Sequence, residues 1–85
     1  MPSFDIVERI IKEIDSIIIV YRIYYFFNSF IYRFQLIKKD RMCILEIPRA
    51  LLENQNKNGG TAEQELSNLV YYHVENADCW AEFQA

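Results

Sequence analysis

The stretch from Ile17 to Ile47 reads IIIVYRIYYFFNSFIYRFQLIKKDRMCILEI and carries eight aromatic residues. Val, Ile, Tyr and Phe dominate it. Such side chains lose rotamer freedom in a helix and suit a pleated, half-buried surface. Two polar interruptions divide the run: Asn28-Ser29, and Lys39-Asp40 within Lys38-Lys39-Asp40-Arg41. Asn and Asp tolerate the positive φ of tight hairpin turns. The stretch therefore predicts a three-stranded antiparallel meander, and the rest of the chain serves to cover one face of it.

Two-residue turns fix both registers. The second hairpin then sets Ile37 by Met42, Gln35 by Ile44 and Arg33 by Glu46 on one face. Leu36 by Cys43, Phe34 by Leu45 and Tyr32 by Ile47 fall on the other. The first hairpin sets Phe27 by Phe30, Tyr25 by Tyr32, Ile23 by Phe34 and Tyr21 by Leu36. Its reverse side sets Phe26 by Ile31, Tyr24 by Arg33, Arg22 by Gln35 and Val20 by Ile37. The two registers agree, because Arg22, Arg33 and Glu46 share one face with Arg33 opposite Glu46. A one-residue slip of either hairpin destroys that agreement. The predicted core face is Tyr21, Ile23, Tyr25, Phe27, Tyr32, Phe34, Leu36, Cys43, Leu45 and Ile47.

The reverse face is the informative one. A solvated face alternates to polar residues, yet this one carries Val20, Tyr24, Phe26, Ile31, Ile37, Met42 and Ile44 around Arg22, Arg33, Gln35 and Glu46. A contiguous apolar patch of this kind marks an interaction surface. The expected partner interface is Val20, Arg22, Tyr24, Phe26, Arg33, Ile37, Met42, Ile44 and Glu46. Tyr24 over Arg33, with Glu46 beside it, is expected to set register by cation–π and ion-pair contact.

Eighty-five residues, 52% of them hydrophobic, suit one small domain rather than a disordered chain. A chain this short buries only about 60–65% of its unfolded surface and gains from oligomerising. A net charge of −3 disfavours nucleic acid as a general partner. The charge is uneven: residues 22–49 hold six bases against two acids, and residues 53–85 one base against six acids. The two halves attract each other within or between chains. Two cysteines, Cys43 and Cys79, make no disulfide framework, and no signal peptide precedes them, so reduced thiols and a cytoplasmic location are expected. Arg22, Asn28-Ser29 and Arg33 interrupt the apolar run, which excludes a spanning helix of about 20 uncharged residues there.

Before the meander, Ser3 fits an N-cap and Asp5 the first turn of a helix over residues 3–15. Phe4, Val7, Ile10, Ile11 and Ile14 form its apolar stripe. Asp5–Arg9 and Glu8–Lys12 are i,i+4 pairs with the acid first. The opening Met1-Pro2-Ser3-Phe4-Asp5-Ile6-Val7 resembles the start of a family of small bacterial proteins linked to nucleotide binding. The likeness ends at Val7, and no property is carried over from it. After the meander, Pro48 ends the third strand and fits the start of a helical turn over Arg49 to Glu53. Residues 54–60 are a polar connector without the spacing of a phosphate-binding loop. Thr61-Ala62-Glu63-Gln64 fits a capping box for a helix from Ala62 to about Glu75, with an extension to Glu82 as an alternative. Ala62, Leu66, Leu69, Val70, His73 and Ala77 are its expected inner stripe. Trp80 and Phe83 are expected to fold back as a lid on the core edge.

No constellation points to catalysis. His73, the only histidine, fits a core or boundary position better than a base. Cys43, His73 and Cys79 lack the spacing of a metal site, and buried inert thiols are the expectation. No cofactor is implied. The order helix, three strands, helix resembles double-stranded RNA-binding domains. That resemblance implies basic residues meeting phosphate at the last helix's N-terminus. Here that helix opens Thr61-Ala62-Glu63-Gln64-Glu65, which repels phosphate.

The sequence thus predicts an α+β fold, α-β-β-β-α over residues 1–85, with its helices on one face of the sheet. Its expected function is that of a small non-catalytic assembly module, a homodimer or a complex with a protein partner, joined through the reverse face. The alternative is single-stranded nucleic-acid or anionic-ligand binding through the aromatic and Arg residues of the same face. A cysteine- or histidine-dependent enzyme is the third reading.

Overall fold

The computed structural model of the chain describes residues 4–53, 61–75 and 80–82. Its elements follow the predicted order. They are α1 (Phe4–Ile14), β1 (Ile19–Phe26), β2 (Ile31–Lys38), β3 (Arg41–Pro48), α2 (Arg49–Glu53), α3 (Thr61–Glu75) and a short β4 (Ala81–Glu82). The strands form one antiparallel sheet in the order β1-β2-β3-β4. The fold is α+β, and β4 is its one unpredicted strand. It pairs Met42 with Ala81 and Arg41 with Glu82, so α3 does not run on to Glu82.

The second hairpin has the predicted register throughout, from Lys38 opposite Arg41 to Ile31 opposite Pro48. Lys39 takes the positive φ of its two-residue turn, 58°. The first hairpin keeps the predicted register from Phe26–Ile31 to Arg22–Gln35. Its turn is four residues, Phe27–Phe30, with Ser29 N–H donating to Phe26 C=O at 3.3 Å. Phe30, rather than Asn28, takes positive φ, 52°. The Arg49 N–H donates to Phe30 C=O at 2.9 Å and ties this turn to the start of α2.

A β-bulge between Val20 and Arg22 changes the start of β1. Val20 pairs with Leu36, and Ile19 takes the place opposite Ile37. The reason lies in two conflicting phases. Ile18 is fully buried, so residues 18 and 20 face the core. The hairpin puts Ile23 and Tyr25 on that same face. An even phase and an odd phase meet, and one extra residue reconciles them. The sequence offered no warning, because Ile17 to Tyr21 is apolar without alternation.

The core lies on one face of the sheet. Val7, Ile10 and Ile11 of α1 pack with Phe34 and Leu36 of β2, Cys43, Leu45 and Ile47 of β3, Leu52 of α2, and Leu66, Val70 and Val74 of α3. Phe4, Ile14, Leu69 and Trp80 pack against its rim. The helix layer is off-centre: α2 and α3 sit on β3, and α1 rests on α3. Trp80 folds back as expected, its Nε1–H donating to Val74 C=O at 2.8 Å. His73, in contrast, is exposed and stacks edge-on against Tyr72, and Val74 holds the inner position expected of it. Phe83, Ala77, Cys79 and the connector over residues 54–60 lie outside the described residues.

Polar contacts stitch the layers. Arg9 pairs with Glu63 on α3 and reaches Glu13 at 4.0 Å, so it joins two helices instead of pairing with Asp5. Lys12 donates to the carbonyls of Ser16 and Ile18 and closes the end of α1, rather than pairing with Glu8. Lys38 Nζ meets Asp15 Oδ2 at 2.8 Å, holding β2 to the α1–β1 link. That hydrogen bond, with a second from the Ile17 N–H, holds the Asp15 carboxyl below its ordinary pKa.

Candidate functional site

The register places eight of the nine predicted interface residues on the reverse face. Rows across the sheet read Tyr24–Arg33–Glu46, Arg22–Gln35–Ile44 and Ile19–Ile37–Met42. Val20 is the exception, since the bulge turns it to the other face, where it packs against the core. Ile19, which the sequence reading left out, replaces it and is 56% exposed.

Arg33 organises the centre of this face. Its Nε and Nη2 both donate to Glu46 Oε2, at 2.9 and 2.7 Å. Its guanidinium lies 4.5 Å from the Phe26 ring centre. The cation–π partner is thus Phe26 and not Tyr24, because a strand side chain leans along its own direction. Tyr24 instead accepts a 3.3 Å hydrogen bond from Arg22 Nη1. That bond raises the Arg22 pKa, with the Tyr21 hydroxyl adding to it; the guanidinium also lies 5.2 Å from the Tyr21 ring centre. Both partners of the Arg33–Glu46 pair are about two-fifths exposed, so it contributes no more than about 1 kcal/mol. Its value is in specifying register.

The larger finding is on the opposite face. Four residues expected in the core, Tyr21, Ile23, Tyr25 and Phe27, are not buried there. Tyr21 is 53% exposed and Phe27 78%, while Ile23 and Tyr25 are only partly covered. An aromatic series runs outward from the core: Phe34 touches Phe4, Phe4 touches Tyr32, Tyr32 touches Tyr25, and Tyr25 touches Phe27, at centroid distances of 4.8–5.8 Å. Phe4 is the α1 residue that joins this series. Beyond it Arg49 holds Tyr25, with Nη1 donating to the tyrosine hydroxyl at 3.1 Å and Nε bound to both oxygens of Glu53 at 2.8 and 2.9 Å. The Glu53 and Tyr25 bonds raise the Arg49 pKa further above its already high value.

Exposed large hydrophobics therefore gather on one strand. Ile17, Ile19, Tyr21, Ile23, Tyr24, Phe26, Phe27 and Phe30 all belong to β1 or its flanks; Ile44 on the reverse face and Tyr71 and Tyr72 on α3 lie apart from them. The patch read from the sequence as the underside of the sheet is centred on the β1 edge and wraps both faces. The missed signal was the absence of polar alternation in Ile17–Tyr21 and Tyr24–Phe27.

The candidate chemistry looks different in three dimensions. Cys43 is fully buried and disulfide-bonded, so it is not the reduced thiol expected. The chain's one other cysteine is Cys79. Among the described residues no group of His, Cys, Asp and Glu is placed to hold a metal ion. A shallow cleft of about 310 Å³ at the β2–β3 turn is lined by Lys38, Lys39, Asp40, Arg41 and Trp80. Its Lys38 is engaged with Asp15 and lies 6.0 Å from the Trp80 ring centre. Among the described residues no helix is long and apolar enough to cross a membrane. Comparison of the chain with protein-family models, curated proteins and solved structures finds no match.

Proposed function

We propose that this chain is a small non-catalytic assembly module that self-associates through the apolar surface of its sheet. The observation that carries the reading is the bare β1 strand. Eight large hydrophobic side chains on it and its flanks average about half exposed. At 150–250 Å² for an aromatic side chain, they hold on the order of 800 Å², about what one partner contributes to a standard interface. A single exposed Ile needs no explanation, but a contiguous patch of this size does.

The competing readings draw less support. Nucleic-acid binding through the reverse face needs guanidinium groups available to phosphate or bases. Arg33 is held by Glu46 and Phe26, and Arg22 by Tyr24. A thiol enzyme cannot use Cys43 as its nucleophile while that residue is disulfide-bonded. The cytoplasmic expectation rested in part on reduced thiols; a disulfide at Cys43 favours an oxidising environment instead.

Light scattering at micromolar protein tests the reading. A dimer mass is the expected result. A strict monomer whose β1 surface accepts Ile23→Lys and Phe27→Lys without change in solubility would overturn it.

A further inference from the structure

We infer that two copies join β1 to β1, antiparallel, and merge their sheets into one. The inference rests on the proposed self-association and states its geometry. Three observations point to the strand edge rather than to a face. First, exposed apolar groups lie on both sides of β1: Ile19, Tyr24 and Phe26 on the reverse face, Ile23 and Phe27 on the core face. Two sheets stacked through their reverse faces leave the second set wet. A neighbouring strand flanks both sets at once, because its own side chains alternate between the two faces.

Second, β1 ends the sheet, with no strand beyond it among the described residues. Natural edges are shielded by charge, proline, brevity or a bulge, and the bulge of β1 lies at its start, ahead of Arg22–Phe26. This one is eight residues long, has no proline, and carries Arg22 as its single charge. The other side of the sheet is shielded at its two ends: β4 pairs with Arg41 and Met42, and β3 finishes in Pro48. Pairing through β1 uses the open edge of both copies and closes the assembly at two.

Third, the regular part of the strand is suited to its own copy. The bulge leaves Arg22–Phe26 as the unbroken segment, with Tyr24 at its centre. A two-fold axis at Tyr24 pairs Arg22 with Phe26 of the second copy and Ile23 with Tyr25. The two arginines do not face each other, and the opposed pairs are cation–aromatic, aliphatic–aromatic and aromatic–aromatic.

Amide hydrogen exchange read by NMR tests the geometry with the unmodified protein. Outward-facing amides in residues 22–26 have no strand beside them among the described residues and gain strand partners when edges pair. Between micromolar and millimolar protein, alternate amides in that segment are expected to slow by about tenfold or more, in step with the rise in mass. A dimer with no added protection there overturns edge pairing and leaves self-association standing. A monomer at every concentration overturns both. A monomer in which the same amides slow only on adding an extended apolar peptide assigns the edge to a foreign strand and overturns the second-copy partner.

Discussion

β1 and β3 belong to one sheet and teach opposite lessons about hydrophobicity. β1 reads IVYRIYYF, apolar at every position but one, and not one of its residues is buried. β3 reads RMCILEIP, and Cys43, Leu45 and Ile47 are fully buried at every second position. The strand with more oil is the wetter one. Burial is decided by what lies over a strand, and α2 and α3 both lie over β3. On the proposed self-association, the hydrophobic surface that the helices leave uncovered is what a second copy covers.

The sharpest way to break this contrast is a matched pair of truncations. Leu45→Ala removes a fully buried side chain and should cost about 3–5 kcal/mol in a urea melt, because the packed site cannot collapse around the gap. Ile23→Ala, one-third exposed on the same face, should cost under about 1.5 kcal/mol at a concentration where the protein is monomeric. Equal costs would mean that β1 is covered after all. Next in size is the disulfide. Reducing it under native conditions should lower stability by about 2–4 kcal/mol, since a crosslink limits the unfolded chain. The loss should fall on the covered half, with Cys43 at its centre, and should vanish in Cys43→Ala.

Charge placed on the bare strand inverts the pattern. Ile23→Lys and Phe27→Lys should each weaken association at least tenfold, about 1.4 kcal/mol, while monomer stability changes by less than about 1 kcal/mol. Sedimentation equilibrium gives the first number and a urea melt at low concentration the second. A variant that loses stability and keeps its mass would relocate the interface away from β1.

The same contrast explains what was legible in the sequence. Turn signals at Asn28-Ser29 and Lys39-Asp40, with Arg33 falling opposite Glu46, gave both hairpins their register, because side-chain alternation has a period of two and tolerates no slip. The stripe Val7, Ile10, Ile11 placed α1 on the core in the same way. What escaped was everything that depends on the lateral position of the helix layer. Nothing local in Tyr21, Ile23, Tyr25 or Phe27 distinguishes an inward side chain that is covered from one that is not. The bulge escaped because Ile17 to Tyr21 carries no polar residue to mark phase. β4 escaped because two residues of strand have no period at all. The Cys43 disulfide escaped because spacing along a chain does not give the distance between two thiols in space.

The smallest expected effect is a pH dependence confined to the covered half. Asp15 accepts a hydrogen bond from Lys38 at the seam between the α1–β1 link and β2, and its pKa lies below the ordinary 3.8. A depressed carboxyl pKa means that the folded state holds its proton less tightly than the unfolded chain does. The contribution is therefore complete above the unfolded value and disappears as pH falls through the folded one. Asp15→Asn should be less stable than the parent near neutral pH, and the gap should close in acid as Asp15 of the parent takes up its proton. Melts of the two proteins from neutral pH downward measure that gap directly and cancel the titration of every other carboxylate. A gap that stays constant would place the loss in side-chain packing instead of charge. The proposed interface supplies the control. β1 has Arg22 as its one charged side chain, and Arg22 keeps its proton throughout, so the mass of the folded protein should hold steady over the same range.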